Sequence, residues 1–287
     1  MQFPRFSSPA CHALFLFLLA AAGPAAGAAE EVDFREAASE KVWSENLRPG
    51  FFQNRPINET TADAVLELKA PHRAEDATVV PISIHTRAEQ SEARYIRRIH
   101  VFIDKNPLPL VGIFDFTPDS GRADLAMRVR VDDFSFVRAI AETSDGELHM
   151  VKSFVRATGA CSAPPPKSIE DSIANMGAMR IRTVGELEFN RPTLVQLMIK
   201  HPNITGLQPM TLSSRVRPPA HFVKELRVDY DGTEVLRAQL TFSISMDPSF
   251  RFFFLPRAAG VMTVEAADTQ DNHWTVTQQI PVPSPSA

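Results

Sequence analysis

Twenty-three prolines are scattered through this 287-residue chain, against twelve glycines. Proline has no amide proton and clashes with the preceding helical turn, so a chain interrupted this often is not built from long helices. It suits short strands joined by turns, with proline at edges, bulges and loops. The apolar pattern agrees. In residues 124–131, Leu125, Met127, Val129 and Val131 alternate with Ala126, Arg128 and Arg130. That period of two marks a strand with one face buried.

Similar short apolar runs recur at 65–68, 79–84, 99–103, 110–116, 136–142 and 148–155, and again at 181–184, 194–200, 222–230, 234–243, 250–255, 261–267 and 273–280. Ser144-Asp145-Gly146, Asp231-Gly232 and residues 269–272 read as hairpin turns. Between the two sets lies ATGACSAPPPKSIEDSIANMGA, residues 157–178, rich in small residues and holding three consecutive prolines. It reads as a linker with a stiff polyproline II spacer. The spacing of strands, twice over, predicts a mainly β fold of two immunoglobulin-like β-sandwich domains in tandem, over residues 30–156 and 179–283. Residues 30–46 carry apolar side chains at helical spacing and predict one short N-terminal helix. Residues 46–58, with Pro49-Gly50 and Pro56, read as a loop. Phe250, Phe252, Phe253 and Phe254 are read either as sandwich core or as a surface buried against the first domain.

Hydrophobic residues make up 44% of the chain, enough to bury a core and to exclude wholesale disorder. The net charge of -4 argues against a general nucleic-acid binder, which needs a basic surface to neutralise phosphates.

The N-terminus, MQFPRFSSPACHALFLFLLAAAGPAAGAAE, has a weakly basic start at Arg5, an apolar run over 13–22 and an Ala26-Gly27-Ala28 cleavage pattern. Residues 1–28 are expected to be a secretory signal peptide, too short in its apolar run to span a bilayer. On this reading the protein is exported and free of the membrane after cleavage. Cleavage also removes Cys11 and leaves Cys161 as the single cysteine. A lone cysteine in an exported protein is a free thiol, an intermolecular partner or a functional nucleophile. A buried inert role is the bland alternative. Its neighbours in Ala157-Thr158-Gly159-Ala160-Cys161-Ser162-Ala163 are all small, so the sequence predicts an exposed thiol on an arm. Arg156 and Lys167 are the nearest cations along the chain.

These residues carry a resemblance. The chain resembles a fusion of SoxY and SoxZ, the two subunits of a periplasmic sulfur carrier of thiosulfate oxidation. It is most similar to fused SoxYZ-like carriers associated with quinoprotein dehydrogenases. The SoxY-like part includes Leu66-Glu67-Leu68-Lys69-Ala70-Pro71 and Val79-Val80-Pro81-Ile82, and ends in Gly159-Ala160-Cys161-Ser162. The SoxZ-like part includes His201-Pro202, Thr205-Gly206-Leu207, Pro219-Ala220-His221-Phe222, residues 244–252 and Asp268-Thr269-Gln270-Asp271-Asn272. The resemblance implies a carrier rather than an enzyme. It implies Cys161 as the covalent attachment point, with Gly159, Ala160 and Ser162 giving the arm its freedom. It further implies pairing of the two domains within the molecule, and redox or sulfur-processing enzymes as partners. Where the SoxY arm is rich in glycine and ends the chain, this one keeps a single glycine and is tied at both ends. A non-covalent accessory or docking module for a periplasmic dehydrogenase is the other function expected.

No resident cofactor is expected. There is no C-x-x-C-H for haem and no Gly-rich phosphate loop. His201 and His221 are a possible metal pair, with loop packing the simpler role. His100 and His149 fall on strands. His149-Met150 with Met176, Met179 and Met210 contains copper-type ligands but no coherent spacing.

Overall fold

A computed structural model describes residues 26–59, 65–209 and 216–282, with side chains described from residue 34 onward. The expected signal peptide lies outside these residues, except for Ala26–Ala28 at the start of the first helix. Met210 also lies outside them.

The N-terminal segment is helical for longer than its sequence predicts. Helix α1 (Ala26–Val42) runs through a π-helical turn (Trp43–Leu47) into α2 (Arg48–Phe52). The expected loop over 46–58 is therefore helical through Phe52. Pro49 sits in the first turn of α2, directly after the π-helical turn. The reward for continuing is burial: Trp43, Leu47 and Phe52 pack against Phe102, Ile140, Leu148 and Met150.

Eight strands follow: β1 (Asn58–Glu59), β2 (Leu66–Lys69), β3 (Val80–Thr86), β4 (Ile96–Ile103), β5 (Leu110–Phe116), β6 (Leu125–Val129), β7 (Ser135–Thr143) and β8 (Leu148–Val155). A short helix, α3 (Ile169–Ala174), interrupts the expected linker. Seven more strands complete the chain: β9 (Met179–Val184), β10 (Thr193–Ile199), β11 (Val223–Tyr230), β12 (Thr233–Leu240), β13 (Ser249–Phe254), β14 (Gly260–Asp268) and β15 (His273–Ile280). All three expected hairpins form, at β7–β8, β11–β12 and β14–β15.

The two sandwiches are joined edge to edge. One sheet of nine strands has the order β1-β8-β7-β4-β5-β12-β11-β14-β15, and a second of six has the order β2-β3-β6-β13-β10-β9. Each sheet runs through both halves, across β5–β12 in the first and β6–β13 in the second. The junction satisfies backbone groups that two separate sandwiches would leave bare at their edges. A single core cluster includes Ile84, Ile99 and Phe114 from the first half and Leu226, Phe250 and Phe252 from the second. The two readings of the phenylalanine run therefore merge. Phe250, Phe252 and Phe254 point into the common core, and their strand is the one that meets the first half. The rings of Phe114 and Phe250 lie 6.3 Å apart across the junction.

The helical segment is locked onto the nine-stranded sheet by a buried cation. Arg138 on β7 is fully buried and donates from Nε and Nη2 to Asp104, with Glu40 of α1 at 3.0 Å. Its guanidinium lies 4.8 Å from the Trp43 ring. Ser39 completes the link by donating to Asp104 at 2.8 Å.

The linker is docked rather than free. Lys200 Nζ is 2.8 Å from Asp171 on α3. Gly177, with φ of +84°, lies under Trp274 so closely that a Cβ there would stand 1.9 Å from the indole nitrogen. Only glycine tolerates both that conformation and that approach. No described helix is long and apolar enough to cross a membrane.

Candidate functional site

The predicted arm leaves β8 and turns at once into the junction of the two halves. Gly159 adopts φ of +77°, a left-handed conformation natural to glycine. Its amide donates to the Asp132 carbonyl at 2.7 Å. Two residues on, the Cys161 amide donates to Asp132 Oδ1, also at 2.7 Å. From the second half, Thr205 Oγ1 donates to the Cys161 carbonyl at 2.6 Å. The arm is thus held twice by Asp132 of the first half and once by Thr205 of the second.

Cys161 and Ala160 are completely buried, whereas Gly159 and Ser162 are exposed. This corrects the expectation of an exposed thiol. Small neighbours along the chain cannot bury a side chain, but the second half does. Burial pushes the Cys161 thiol up to about 12, with the Asp132 carboxylate pushing the same way and Arg130 opposing. The cation that matters is therefore Arg130. The proposed neighbours lie elsewhere: Arg156 bridges to Arg73, and Lys167 is exposed. Arg130 is buried, donates from Nη1 to the carbonyls of Phe242 and Ile244, and has no partner at Nε. Asn106 ties this corner together. Its side chain donates to the Arg130 carbonyl at 2.8 Å and accepts the Asp132 amide at 2.8 Å.

The thiol as docked is a poor nucleophile. Sulfur chemistry runs through the thiolate, and at neutral pH this environment keeps the proton on. The docked arm shields the cysteine.

The loop that supplies Thr205 also carries a buried polar cluster. His201 and His221, 20 residues apart in the sequence, converge on Asp268. His221 Nε2 is 2.6 Å and His201 Nε2 3.4 Å from the same oxygen, Asp268 Oδ2. Asn272 donates to that oxygen at 2.9 Å, and the Gln270 and Asn272 amides donate to Oδ1. Against the upward push of burial, the hydrogen bonds from Asn272 and His221 hold the Asp268 carboxyl well below the usual carboxylate range. Burial pushes His201 down. Three potential metal ligands meet here, yet the hydrogen bonding does not fit a metal. The Asn203 amide donates to His201 Nδ1 at 3.1 Å, so the neutral ring carries its proton on Nε2. That nitrogen then donates to Asp268 and has no lone pair for an ion. The cluster is a brace for the 201–208 loop. Asn203 extends it by donating to the carbonyls of Ile244 and Ser245. The copper-type residues are not brought together: His149 and Met150 lie on β8, and Met179 lies on β9, in different sheets.

Cys161, the one cysteine among the described residues, is concealed at the seam of two joined immunoglobulin-like halves, as fits a carrier. The matches to known proteins agree. The family model for sulfur oxidation protein SoxY matches residues 50–161, and that for sulphur oxidation protein SoxZ matches residues 181–279. Together they span well over half of the sequence. The chain belongs to the SoxY and SoxZ sulfur-oxidation proteins, as a fused SoxYZ-like sulfur carrier. Among solved structures, it is similar to the sulfur carrier protein SoxY from Chlorobium limicola f thiosulfatophilum at 24% identity, over 43% of this chain and 99% of that one, with a TM-score of 0.33. It is also similar to a superoxide reductase (neelaredoxin) from Ignicoccus hospitalis at 14% identity, over 32% of this chain and 80% of that one, with a TM-score of 0.30. No curated protein matches the chain.

Proposed function

We propose that this protein is a periplasmic carrier that holds a sulfur-containing intermediate covalently on Cys161 and presents it to redox or sulfur-processing enzymes of a quinoprotein dehydrogenase system. The observation that carries this reading is the seam dock: Cys161 is concealed, and each half contributes one hydrogen bond to it. The SoxY family match ends at this same residue, so Cys161 lies where the two halves of the fused carrier meet. Gly159 supplies a hinge on one side, and the exposed Ser162 begins the other. Loading joins Cys161 Sγ to a cargo sulfur by an S–S bond. The two electrons released pass to the partner redox enzyme, and the thiol proton passes to solvent.

Intact mass of protein isolated from the periplasm, before and after reduction, tests the proposal. The expected result is an adduct on Cys161 that reductant removes. Repeated recovery of the unmodified thiol counts against it. The buried, proton-retaining thiol favours a second reading, in which the protein is a non-covalent accessory module and Cys161 is inert. Under that reading Cys161→Ser leaves the pathway intact. Loss of pathway activity with the fold retained rejects it.

A further inference from the structure

The outer face of the six-stranded sheet is crossed by one row of paired residues that runs through both halves: Lys69, Ser83, Ala126, Arg251, Gln196 and Arg182. Two residues along, the next row on that face carries Arg128 opposite Pro81 and Arg180 opposite Met198. The small residues Ser83, Ala126 and Ser249 lie between longer side chains. They leave a groove of about 630 Å³ that also takes in Lys69, Arg128 and Arg251. Among the described residues no carboxylate lines it.

Four of the five cations here are unneutralised. Lys69 has Glu67 at 3.5 Å, but Arg128, Arg180, Arg182 and Arg251 form no ion pair among the described residues. Arg182 donates only to the neutral Gln196 side chain, and Arg128 only to the Asp247 carbonyl, with its Nε buried and unpartnered. The nearby Asp247 carboxylate is already engaged by Lys200 at 2.9 Å and by the His201 amide at 3.1 Å. A cluster of four arginines without ion pairs among the described residues stands out on a chain whose net charge is -4. It would select and orient an oppositely charged surface.

We propose that this groove docks an acidic segment of the partner protein that acts on Cys161. The occupant's chemistry follows from spacing. Adjacent strands are about 4.8 Å apart, so Lys69 and Arg251 stand three strands, roughly 14 Å, apart, and Arg251 and Arg182 roughly 10 Å. One small oxyanion cannot span such gaps; carboxylates distributed along an extended segment can. The location suits the task. The chain runs four residues from Arg128 to Asp132, which holds the Cys161 amide, a span of at most about 14 Å. The groove is composite, since β6 belongs to one half and β13 to the other. The partner's task, but not the groove, rests on the carrier reading above.

The test is anisotropy of a fluorescein-labelled decaglutamate peptide titrated with the full chain at about 20 mM salt, where surface charge is weakly screened. The wild-type protein is expected to bind, and to lose about tenfold in affinity on raising salt to about 150 mM. Arg128→Gln with Arg251→Gln is expected to weaken binding about tenfold or more. Arg128→Lys with Arg251→Lys, and Arg237→Gln on the other sheet, should keep it. Failure of the wild-type chain to bind the peptide overturns the proposal, as does equal binding by the double Gln variant with an unchanged thermal midpoint. Complete displacement by a few millimolar sulfate at matched ionic strength also overturns it, in favour of a small-oxyanion site. The intact-mass measurement on Cys161 stands apart. An adduct without peptide binding removes the groove proposal alone, and peptide binding without an adduct removes the carrier reading alone.

Discussion

Thr205→Val should release the arm. In the folded chain the Thr205 hydroxyl donates at 2.6 Å to the Cys161 carbonyl, in a buried setting. Valine preserves the shape but cannot donate, so the carbonyl loses its partner on the second half. A buried hydrogen bond of this kind contributes about 1–2 kcal/mol. At about 1.4 kcal/mol per factor of ten, the lifted arm becomes about 5- to 30-fold more populated. The docked thiol is pushed up to about 12 from an ordinary 9.0. Its thiolate fraction at pH 8 is therefore about a thousandfold lower than that of a free thiol. Alkylation then proceeds only through the lifted arm, and its rate reads the lifted population directly. Iodoacetamide labelling at pH 8, followed by intact mass with the denatured chain as reference, makes the measurement. The wild-type protein should label at least about tenfold more slowly than the denatured chain, and Thr205→Val about 5- to 30-fold faster than wild type. The sign of the pH dependence follows from the raised value. Docking favours the protonated thiol, so its contribution is complete below pH 9.0 and is lost as pH rises towards 12. Labelling should therefore steepen above pH 9 beyond ordinary thiolate formation. Wild-type labelling at the denatured rate, or a Thr205→Val rate within about twofold of wild type, would refute the latch.

Other substitutions test the frame around the site. Arg138→Met strands the buried Asp104 without its cation and should cost about 3–5 kcal/mol, seen as a lower urea midpoint and as exposure of Trp43 by fluorescence. Burial, with Arg98 nearby, pushes His100 down to about 4 from 6.5, so the folded chain resists a proton that the unfolded chain accepts. Stability from this group is complete above pH 6.5 and declines as pH falls towards 4, with about 2 kcal/mol lost by pH 5. Urea titrations at pH 7 and pH 5 should show the decline, and His100→Phe should remove that part of it. Phe252→Ala empties a core position shared by both halves and should cost about 3–5 kcal/mol in a single cooperative transition. Two separate transitions, with only the second shifted, would contradict the common core.

Strand identity was legible in the chain because one buried face imprints a period of two, as at Leu125, Met127 and Val129. Hairpin positions were legible because turn residues act locally. Cys161 was singled out because the other cysteine, Cys11, falls within the expected signal peptide. Strands β4 and β7 are less regular in sequence, since the N-terminal helical segment covers one of their faces while the common core buries the other. That cover could not be seen from the strands themselves. Asp268 lay within a recognised motif, but its role depends on two histidines that the chain brings in from 47 and 67 residues away.

The environment of Cys161 shows the division most clearly. Sequence determined that Cys161 sits among small residues between two β halves. Local composition predicts exposure, because no neighbour along the chain can cover it. Tertiary structure decided otherwise. Asp132 and Thr205, 29 and 44 residues away, close over it once the two sheets join. Edge pairing and burial are set by groups distant in sequence, and these are what keep the proton on the sulfur.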